Sequence, residues 1–314
     1  MTVQIIKYLS LLIILLWVIF YAVARWQDPE VLNIEDARDP ASSGQLARLS
    51  AGNTFYELQG PENAPLVILV HGFAIGSHLW DGTFDRLVAD GFRVLRFDLY
   101  GRGFSDRPDV IYDKDLFVNQ LRALLQTLAI TEPFHLVGIS MGALVAAEFA
   151  ANEPLKITTL TLLSPLSQRQ DVALFQLPLL ADPLAIVLMR TQLTKHIENM
   201  VYLPVAELDT IKTRFLDEIM VKDTRKSLLS TARHLLADNH LDTYQQLGQQ
   251  NIPTLLIWGK QDIVTPYSES AKLLAILPGA EMLSLENVGH APHLEASEQV
   301  DDRLRQHLTQ KATD

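Results

Sequence analysis

The sequence contains no cysteine, which excludes disulfide bonds, thiolate nucleophiles and cysteine-ligated metal sites. It also lacks an excess of basic charge, since 26 Lys and Arg against 37 Asp and Glu give a formal net charge of −11. No run of Lys or Arg supplies a cationic surface for phosphates, so we predict no nucleic-acid partner. Low-complexity tracts are missing too, and a hydrophobic content of 48% is typical of a globular chain with a sizeable core.

The most apolar stretch of the chain lies at its N-terminus. Residues 8–24, YLSLLIILLWVIFYAVA, carry no charge, and with Lys7 reaching the membrane surface the apolar stretch extends back to Ile5. We interpret this stretch as a transmembrane anchor, with the bulk of the chain on the non-cytoplasmic side. The alternative is a signal peptide removed on export, because Ala22-Val23-Ala24 fits the small-residue cleavage pattern.

Five segments divide the chain. We predict the anchor or signal over residues 1–25, a polar linker over 26–44, a first core segment over 45–166, a helical cap over 167–242 and a second core segment over 243–314. The core segments alternate short apolar runs with helical periodicity, which predicts an α/β fold with a mostly parallel sheet. Strand-like runs do not recur in residues 167–242, so this segment is predicted to be a helical insertion over the sheet.

The motif Gly138-Ile139-Ser140-Met141-Gly142 follows a predicted strand and opens a predicted helix. This is the context of a nucleophile elbow, in which the glycines allow the strand and the helix to approach while the serine points outward. A glycine-rich turn with a solvated serine fits the motif alone equally well. A serine hydroxyl becomes a good nucleophile only with a base beside it and donors for the oxyanion, so other parts of the chain decide the question.

Those other parts follow further strands, in the order that an acyl-transfer site requires. Phe73 follows VILVHG, and its backbone N–H and that of Met141 are the two predicted donors of an oxyanion hole. Asp262 ends the strand-and-turn stretch LLIWGKQD, and His290 follows the last strand, so serine, acid and histidine occur in the chain order of such hydrolases. Taken singly, an Asp after a strand is usually a turn residue and a lone His is usually structural; their joint placement favours catalysis.

Three further motifs are given structural interpretations. His71 precedes the serine in the chain, so we predict a structural role for it instead of that of the base. His293 stands three residues after His290, but no H-E-x-x-H motif accompanies the pair, so we predict no metal ion. The loop FDLYGRGFSDRP lacks the endings of a P-loop or a dinucleotide fingerprint and is predicted to be a rigid loop near the site, so we predict no cofactor.

Together these residues resemble the α/β-hydrolase-fold serine hydrolases with a helical cap. The resemblance spans about residues 49–310 and rests on His71-Gly72, the Asp98–Ser105 loop, the elbow at Ser140, Asp262 and Gly289-His290. It implies an eight-stranded, mostly parallel sheet with the cap inserted after the sixth strand. With the N-terminal apolar segment, the chain is also similar to membrane-bound monoacylglycerol-lipase-like members.

A serine nucleophile directs the chemistry to acyl groups, so we predict a carboxylic ester hydrolase. The apolar side chains of the cap, among them Phe175, Leu179 and Leu180, predict a hydrophobic acyl-binding pocket and a lipid-derived ester as substrate. One alternative is a C–C bond hydrolase of ring-fission diketones, which requires a cation such as Arg190 or Lys195 at the pocket. The other is a binding protein that keeps the fold without catalysis.

Overall fold

The computed structural model describes residues 2–38, 43–177 and 179–309. Met1, residues 39–42, Pro178 and residues 310–314 lie outside the described residues, so the predicted segments that contain them are described in part. The strands are β1 (Gln45–Arg48), β2 (Asn53–Gln59), β3 (Leu66–Val70), β4 (Arg93–Phe97), β5 (Phe134–Ile139), β6 (Ile157–Leu163), β7 (Thr254–Gly259) and β8 (Glu281–Leu285). The α-helices are α1 (Thr2–Trp26), α2 (Ile34–Ala37), α3 (Asp81–Ala89), α4 (Lys114–Thr127), α5 (Met141–Asn152), α6 (Ala181–Asn199), α7 (Leu208–Glu218), α8 (Thr224–Thr231), α9 (Leu241–Leu247), α10 (Ser270–Ile276), α11 (Pro292–Glu295) and α12 (Ser297–Leu308).

The eight strands form one sheet in the order β1-β2-β4-β3-β5-β6-β7-β8. β2 is antiparallel to β1 and β4, and the other neighbouring strands are parallel. The chain order reverses around β3, so the carboxyl ends of β3 and β5 border a crevice of the kind in which α/β sheets bind ligands. The predicted α/β fold with an eight-stranded, mostly parallel sheet is confirmed.

Helices cover both faces of the sheet, and the strand sequences are apolar on both sides for that reason. Every residue of β3, β5 and β7 is buried. One face packs against α4, α5, α9 and α10, and the other against α3 and α12. The predicted site residues Phe73, Ser140 and Asp262 therefore follow strands that are buried on both faces.

Between β6 and β7, the described residues form helices and turns with no strand. Ala185, Met189, Leu193 and Ile197 lie four residues apart along α6, and this face is buried on the second core cluster. α7 adds Ile211 and Phe215 to the same cluster, whereas α9 packs against α5 in the core. The described part of residues 167–242 is thus helical, and its helices α6 and α7 pack on the second core cluster.

The residues that precede β1 are attached to the cap. Within α1, the stretch Gln4–Trp26 is long and apolar enough to cross a membrane. After α1, the N–H groups of Val31 and Leu32 donate to the carbonyl of Met220 over 2.8 and 3.0 Å, and Lys222 N donates to Leu32 O over 2.9 Å. The polar composition of residues 26–44 suggested a linker, but part of this segment is hydrogen-bonded to the cap in the structure.

Candidate active site

Ser140 occupies the turn between β5 and α5 in a backbone conformation that side-chain-bearing residues rarely adopt. Its φ is 56° and its ψ is −120°, and such a conformation costs about 1–3 kcal/mol, which the surrounding contacts must offset. Ser140 N donates to Leu163 O over 2.9 Å, and Ser140 O accepts from Ala143 N over 3.1 Å. These bonds hold the strained turn, and they leave the half-exposed side chain free of the strand and the helix.

The two glycines beside Ser140 are required because backbone atoms approach them closely. A Cβ on Gly138 would lie 2.4 Å from Gly142 O, and a Cβ on Gly142 would lie 2.3 Å from His71 O. Neither contact is possible without moving β5, α5 or the end of β3, since the neighbouring atoms belong to the backbone. The motif therefore specifies the close packing that raises Ser140 above the sheet.

Asp262 and His290 meet at the same edge of the sheet. His290 Nδ1 lies 2.9 Å from Asp262 Oδ2, and both side chains are buried. Burial by itself raises the pKa of Asp262, but the neighbouring His290 and the hydrogen bonds from Thr265 outweigh it and hold that pKa below its usual value. An ionised Asp262 can only accept a hydrogen bond, so it favours the tautomer of His290 that carries its proton on Nδ1, in which Nε2 is free to act as a base.

Thr265 is a third member of this cluster that the sequence did not single out. Its hydroxyl lies 2.9 Å from Asp262 Oδ2, 3.1 Å from His290 Nδ1 and 3.0 Å from Ser164 O. Asp262 Oδ1 accepts from the backbone N–H groups of Val264 and Thr265, over 2.8 and 2.9 Å. The turn after Asp262 thus saturates both carboxylate oxygens and fixes their orientation toward His290.

The loop after β3 carries Phe73, and a buried arginine holds it in place. Arg102 Nε donates to Phe73 O over 2.7 Å, and its Nη2 donates to Thr231 Oγ1 of α8 over 2.9 Å. Burial lowers the pKa of Arg102 to about 9, so the guanidinium stays charged at neutral pH. Met141 begins α5, and N–H groups in the first turn of a helix have no acceptor within the helix. The backbone of Phe73 is thus held by a buried side chain, and the Met141 N–H lies at the start of α5, where the helix itself offers no acceptor.

Ser140 and His290 line one small pocket together with Phe73 and two residues of the cap, His196 and Met200. The pocket has a volume of about 20 Å³, room for about one water molecule. His196 lies near the end of α6 and is half-buried; burial lowers its pKa to about 4, and the nearby His290 adds to this effect, so it is neutral at pH 7. At this volume the pocket is too small for an acyl chain.

The loop that carries His290 is hydrogen-bonded to the same end of the cap. The N–H groups of His290 and Ala291 donate to Met200 O over 2.8 and 3.0 Å. Glu295 accepts from Gly289 N over 2.8 Å and from Tyr202 N over 2.6 Å, which bridges the loop and the chain after α6. These hydrogen bonds connect the backbone of His290 directly to the chain after α6. Glu295 belongs to the stretch GHAPHLE, where its spacing from His290 was the only signal in the sequence.

The remaining predicted residues lie outside this pocket. Phe175 is half-buried, packs against the core and accepts a hydrogen bond from Arg233 on its carbonyl. Leu179 and Leu180 are exposed on the cap, as are the two candidate cations, Arg190 and Lys195. None of these five residues lines the pocket at Ser140.

His71 and His293 are both held inside the core. Leu99 N donates to His71 Nε2 over 2.8 Å, and His71 Nδ1 lies 2.9 Å from Gly72 O, which fits the structural role predicted for it. His293 Nε2 lies 3.1 Å from Leu79 O. Among the described residues, no group of three or more His, Asp or Glu side chains is placed to hold a metal ion.

A larger cavity of about 760 Å³ lies away from Ser140 and is lined largely by charged side chains. These side chains pair with one another: Arg96 contacts Glu57 and Asp81, and His78 lies 3.2 Å from Glu218. Neither Ser140 nor His290 lines this cavity. The smaller pocket at Ser140 therefore remains the candidate active site, although the other cavity is larger.

Comparison with known proteins agrees with the fold and with the class of chemistry. Lipase 1 of Psychrobacter immobilis is 25% identical over 283 residues, which cover 88% of this chain and 87% of the lipase. A 2-hydroxy-6-oxononadienedioate/2-hydroxy-6-oxononatrienedioate hydrolase of Pseudomonas putida is 28% identical over 278 residues, which cover 82% and 93%. The crystal structure of the enol-lactonase from Burkholderia xenovorans superposes with a TM-score of 0.72 at 19% identity, and covers 85% of this chain and all of the lactonase.

A family model described as alpha/beta hydrolase fold matches residues 65–297. The matched residues run from the start of β3 to the start of α12 and contain Ser140, Asp262 and His290. The sheet order, the serine turn and this match agree, and the chain belongs to the alpha/beta hydrolase fold family.

Proposed function

We propose that this protein is a membrane-anchored serine hydrolase that cleaves hydrophobic carboxylic esters through an acyl-enzyme on Ser140. The observation that carries the proposal is the 2.9 Å hydrogen bond between His290 Nδ1 and Asp262 Oδ2, at a pocket that His290 shares with Ser140. This arrangement supplies a base whose free nitrogen is available to a serine hydroxyl.

In the proposed acylation step, Ser140 Oγ attacks the carbonyl carbon of the ester while His290 Nε2 takes the hydroxyl proton. The carbonyl electron pair moves to the oxygen, and the resulting oxyanion accepts hydrogen bonds from the N–H groups of Phe73 and Met141. The intermediate then breaks its bond to the alcohol oxygen, which leaves with the proton from His290.

In the proposed deacylation step, a water molecule gives its proton to His290 Nε2 and attacks the acyl carbon. Collapse of the second oxyanion breaks the bond to Ser140 Oγ, which takes the proton back, and the carboxylic acid is released. Asp262 stays ionised throughout, because its pKa is held below its usual value, and it stabilises the His290 imidazolium in both steps.

Apolar side chains around Ser140 support a hydrophobic substrate. Ile75, Leu79 and Met200 line the pocket, and Psychrobacter and Moraxella relatives are named as lipases. Phe175, Leu179 and Leu180 would meet an acyl chain only after the cap moves, and we keep them as proposed substrate-binding residues. α1 supports anchoring by its length and composition, with the catalytic segment on the non-cytoplasmic side or, if α1 is cleaved, exported.

Replacement of Ser140 with alanine tests the assignment directly. We expect labelling by a fluorophosphonate to disappear and turnover of p-nitrophenyl esters to fall by about 10⁶-fold, the loss measured for a comparable serine in subtilisin. In the unaltered protein, an acyl series from acetyl to palmitoyl should show a preference for medium or long chains. Unchanged labelling of Ser140→Ala would refute the nucleophile, and a preference for acetyl would refute the hydrophobic substrate.

C–C bond hydrolysis is the second candidate, because the Pseudomonas putida relative named for a ring-fission substrate is 28% identical. That class of substrate carries carboxylates, yet the described residues lining the pocket at Ser140 include no Lys or Arg. Faster turnover of a vinylogous diketone acid than of any ester in the series would favour this candidate. A binding protein without catalysis would show neither turnover nor labelling.

A further inference from the structure

We propose that the start of the cap lies in the surface of the same lipid bilayer that α1 crosses. The apolar cap face, as we call it, comprises the exposed residues Leu174, Leu177, Leu179, Leu180 and Val187. The occupant of this face is the bilayer itself. The inference rests on the proposed membrane anchor and adds a second membrane contact, made by the hydrolase domain.

α1 contacts the cap along one side of its C-terminal half. The helix packs against α6. Only Trp17, Phe20, Tyr21 and Ala24 are partly or fully buried among residues 4–26, and their spacing of three and four residues places them on one helical face. The rings of Trp17 and Tyr21 stack with centroids 5.4 Å apart, and Ala24 is fully buried. The other side chains of residues 4–26 are exposed, as they would be toward lipid.

The depth of this contact follows from helix geometry. The 23 residues from Gln4 to Trp26 span about 35 Å, enough for a hydrocarbon core of about 30 Å. With Trp26 at the interface, Ala24 lies about 3 Å and Trp17 about 14 Å further into the bilayer. A helix that covers this face of α1 must itself reach below the headgroups, since a domain held in water would leave the face uncovered.

The composition of the cap at this point suits that position. From Leu174 to Met189 the only charged residue is Asp182, and its carboxylate lies 3.0 Å from Arg225 Nε. Leu179, at the centre of the face, is 78% exposed. Apolar faces of this kind insert about 5–10 Å into the boundary between headgroups and acyl chains, and in water a cluster of exposed leucines is unfavourable.

A clamp between the N-terminal segment and the cap maintains the geometry. Arg225 Nη1 lies 2.7 Å from Asp28 Oδ1 and 3.3 Å from Glu30 Oε2, and Arg225 N also donates to Glu30. Asp28 follows the last residue of α1 by only two positions. The cap is therefore attached directly to the end of the anchor, which fixes its position relative to the membrane surface. α6 runs from this region to the pocket at Ser140.

The absence of cysteine allows a clean depth measurement. Single variants Leu177→Cys and Val187→Cys would be labelled with a nitroxide in the full-length protein, reconstituted into phosphatidylcholine vesicles. Ile13→Cys is the matched anchor control, and Leu155→Cys and Leu46→Cys, at exposed positions of the core, are the water controls. Electron paramagnetic resonance then compares collisions with O₂, which concentrates in lipid, and with a nickel chelate, which stays in water.

We expect the labels at positions 177 and 187 to show a higher ratio of oxygen to nickel collisions than both water controls, approaching the ratio at position 13. Ratios equal to those of the water controls, with position 13 still in lipid, would overturn the cap contact and leave the anchor. A water-like ratio at position 13 as well would overturn the anchor and the cap contact together. Turnover of a p-nitrophenyl ester by the same samples reports separately on the hydrolase.

Discussion

Replacement of Asp262 with asparagine is expected to inactivate the enzyme by reversing the tautomer of His290. The asparagine oxygen can occupy only one of the two carboxylate positions. At the position of Oδ1 it meets the N–H groups of Val264 and Thr265, which can only donate. At the position of Oδ2 the amide would face His290 Nδ1 and the Thr265 hydroxyl, and both of these can become acceptors.

The structure therefore determines which of its two orientations the amide of the asparagine adopts, and the difference in free energy between them. With the oxygen toward the backbone, the NH₂ donates to His290 Nδ1, and the proton of the ring moves to Nε2, where it blocks the base. The reverse orientation leaves two buried N–H groups facing an NH₂, at about 1–3 kcal/mol each. A total of about 2–6 kcal/mol corresponds to a loss of activity of about 30-fold to 10⁴-fold; a trypsin-type triad loses about 10⁴.

The assay is kcat for a p-nitrophenyl ester, together with the rate of fluorophosphonate labelling at Ser140. Thr265→Val is the matched control, because it removes a hydrogen bond to Asp262 but leaves a carboxylate beside His290, so its loss should be much smaller. Thermal unfolding of both variants separates a catalytic effect from destabilisation. Activity of Asp262→Asn within about threefold of the unaltered protein would refute the role assigned to Asp262, because the tautomer argument requires at least the 30-fold loss derived above.

Two further variants test other parts of the site, and a third tests the stability of the core. Arg102→Lys removes part of the guanidinium fork that holds Phe73. The free energy of unfolding, measured in urea, should fall by about 3 kcal/mol, and kcat should fall about tenfold. An unchanged kcat would contradict the positioning role of Arg102. Glu295→Gln replaces one acceptor with a donor beside backbone N–H groups such as that of Gly289, and the lost hydrogen bond costs about 1–2 kcal/mol. We expect kcat to fall about tenfold with KM little changed. A change confined to KM would contradict this positioning role. Burial lowers the pKa of His293 to about 3. Below pH 6.5 this side chain therefore binds a proton in the unfolded chain but stays neutral in the folded protein. The free energy of unfolding should therefore fall by up to about 1.4 kcal/mol more per pH unit below pH 6.5 in the unaltered protein than in His293→Gln, and parallel pH profiles would contradict the shift.

Local patterns predicted most of the fold. The short apolar runs indicated the strands of the sheet, because strands that are buried on both faces, such as β3, β5 and β7, read as nearly continuous apolar sequence. The glycines at 138 and 142 likewise predicted the turn at Ser140, although only the structure shows that a Cβ at 142 would meet the distant backbone of His71. In contrast, the contacts of Thr265, Arg102, His196 and Glu295 join segments that are distant in the chain or depend on a single rotamer, and no periodicity encodes them.

By itself, the sequence determined the α/β class, the strand-to-helix turn at Ser140 and the order in which Ser140, Asp262 and His290 follow their strands. Those properties depend on burial patterns and steric limits that act over a few residues. Only the tertiary structure shows that His196 and Met200 line the pocket at Ser140, and that the segment after α1 is clamped to the cap. Such contacts depend on how whole helices pack against the sheet and against one another. That packing results from many weak interactions across the fold, so no short stretch of sequence encodes it.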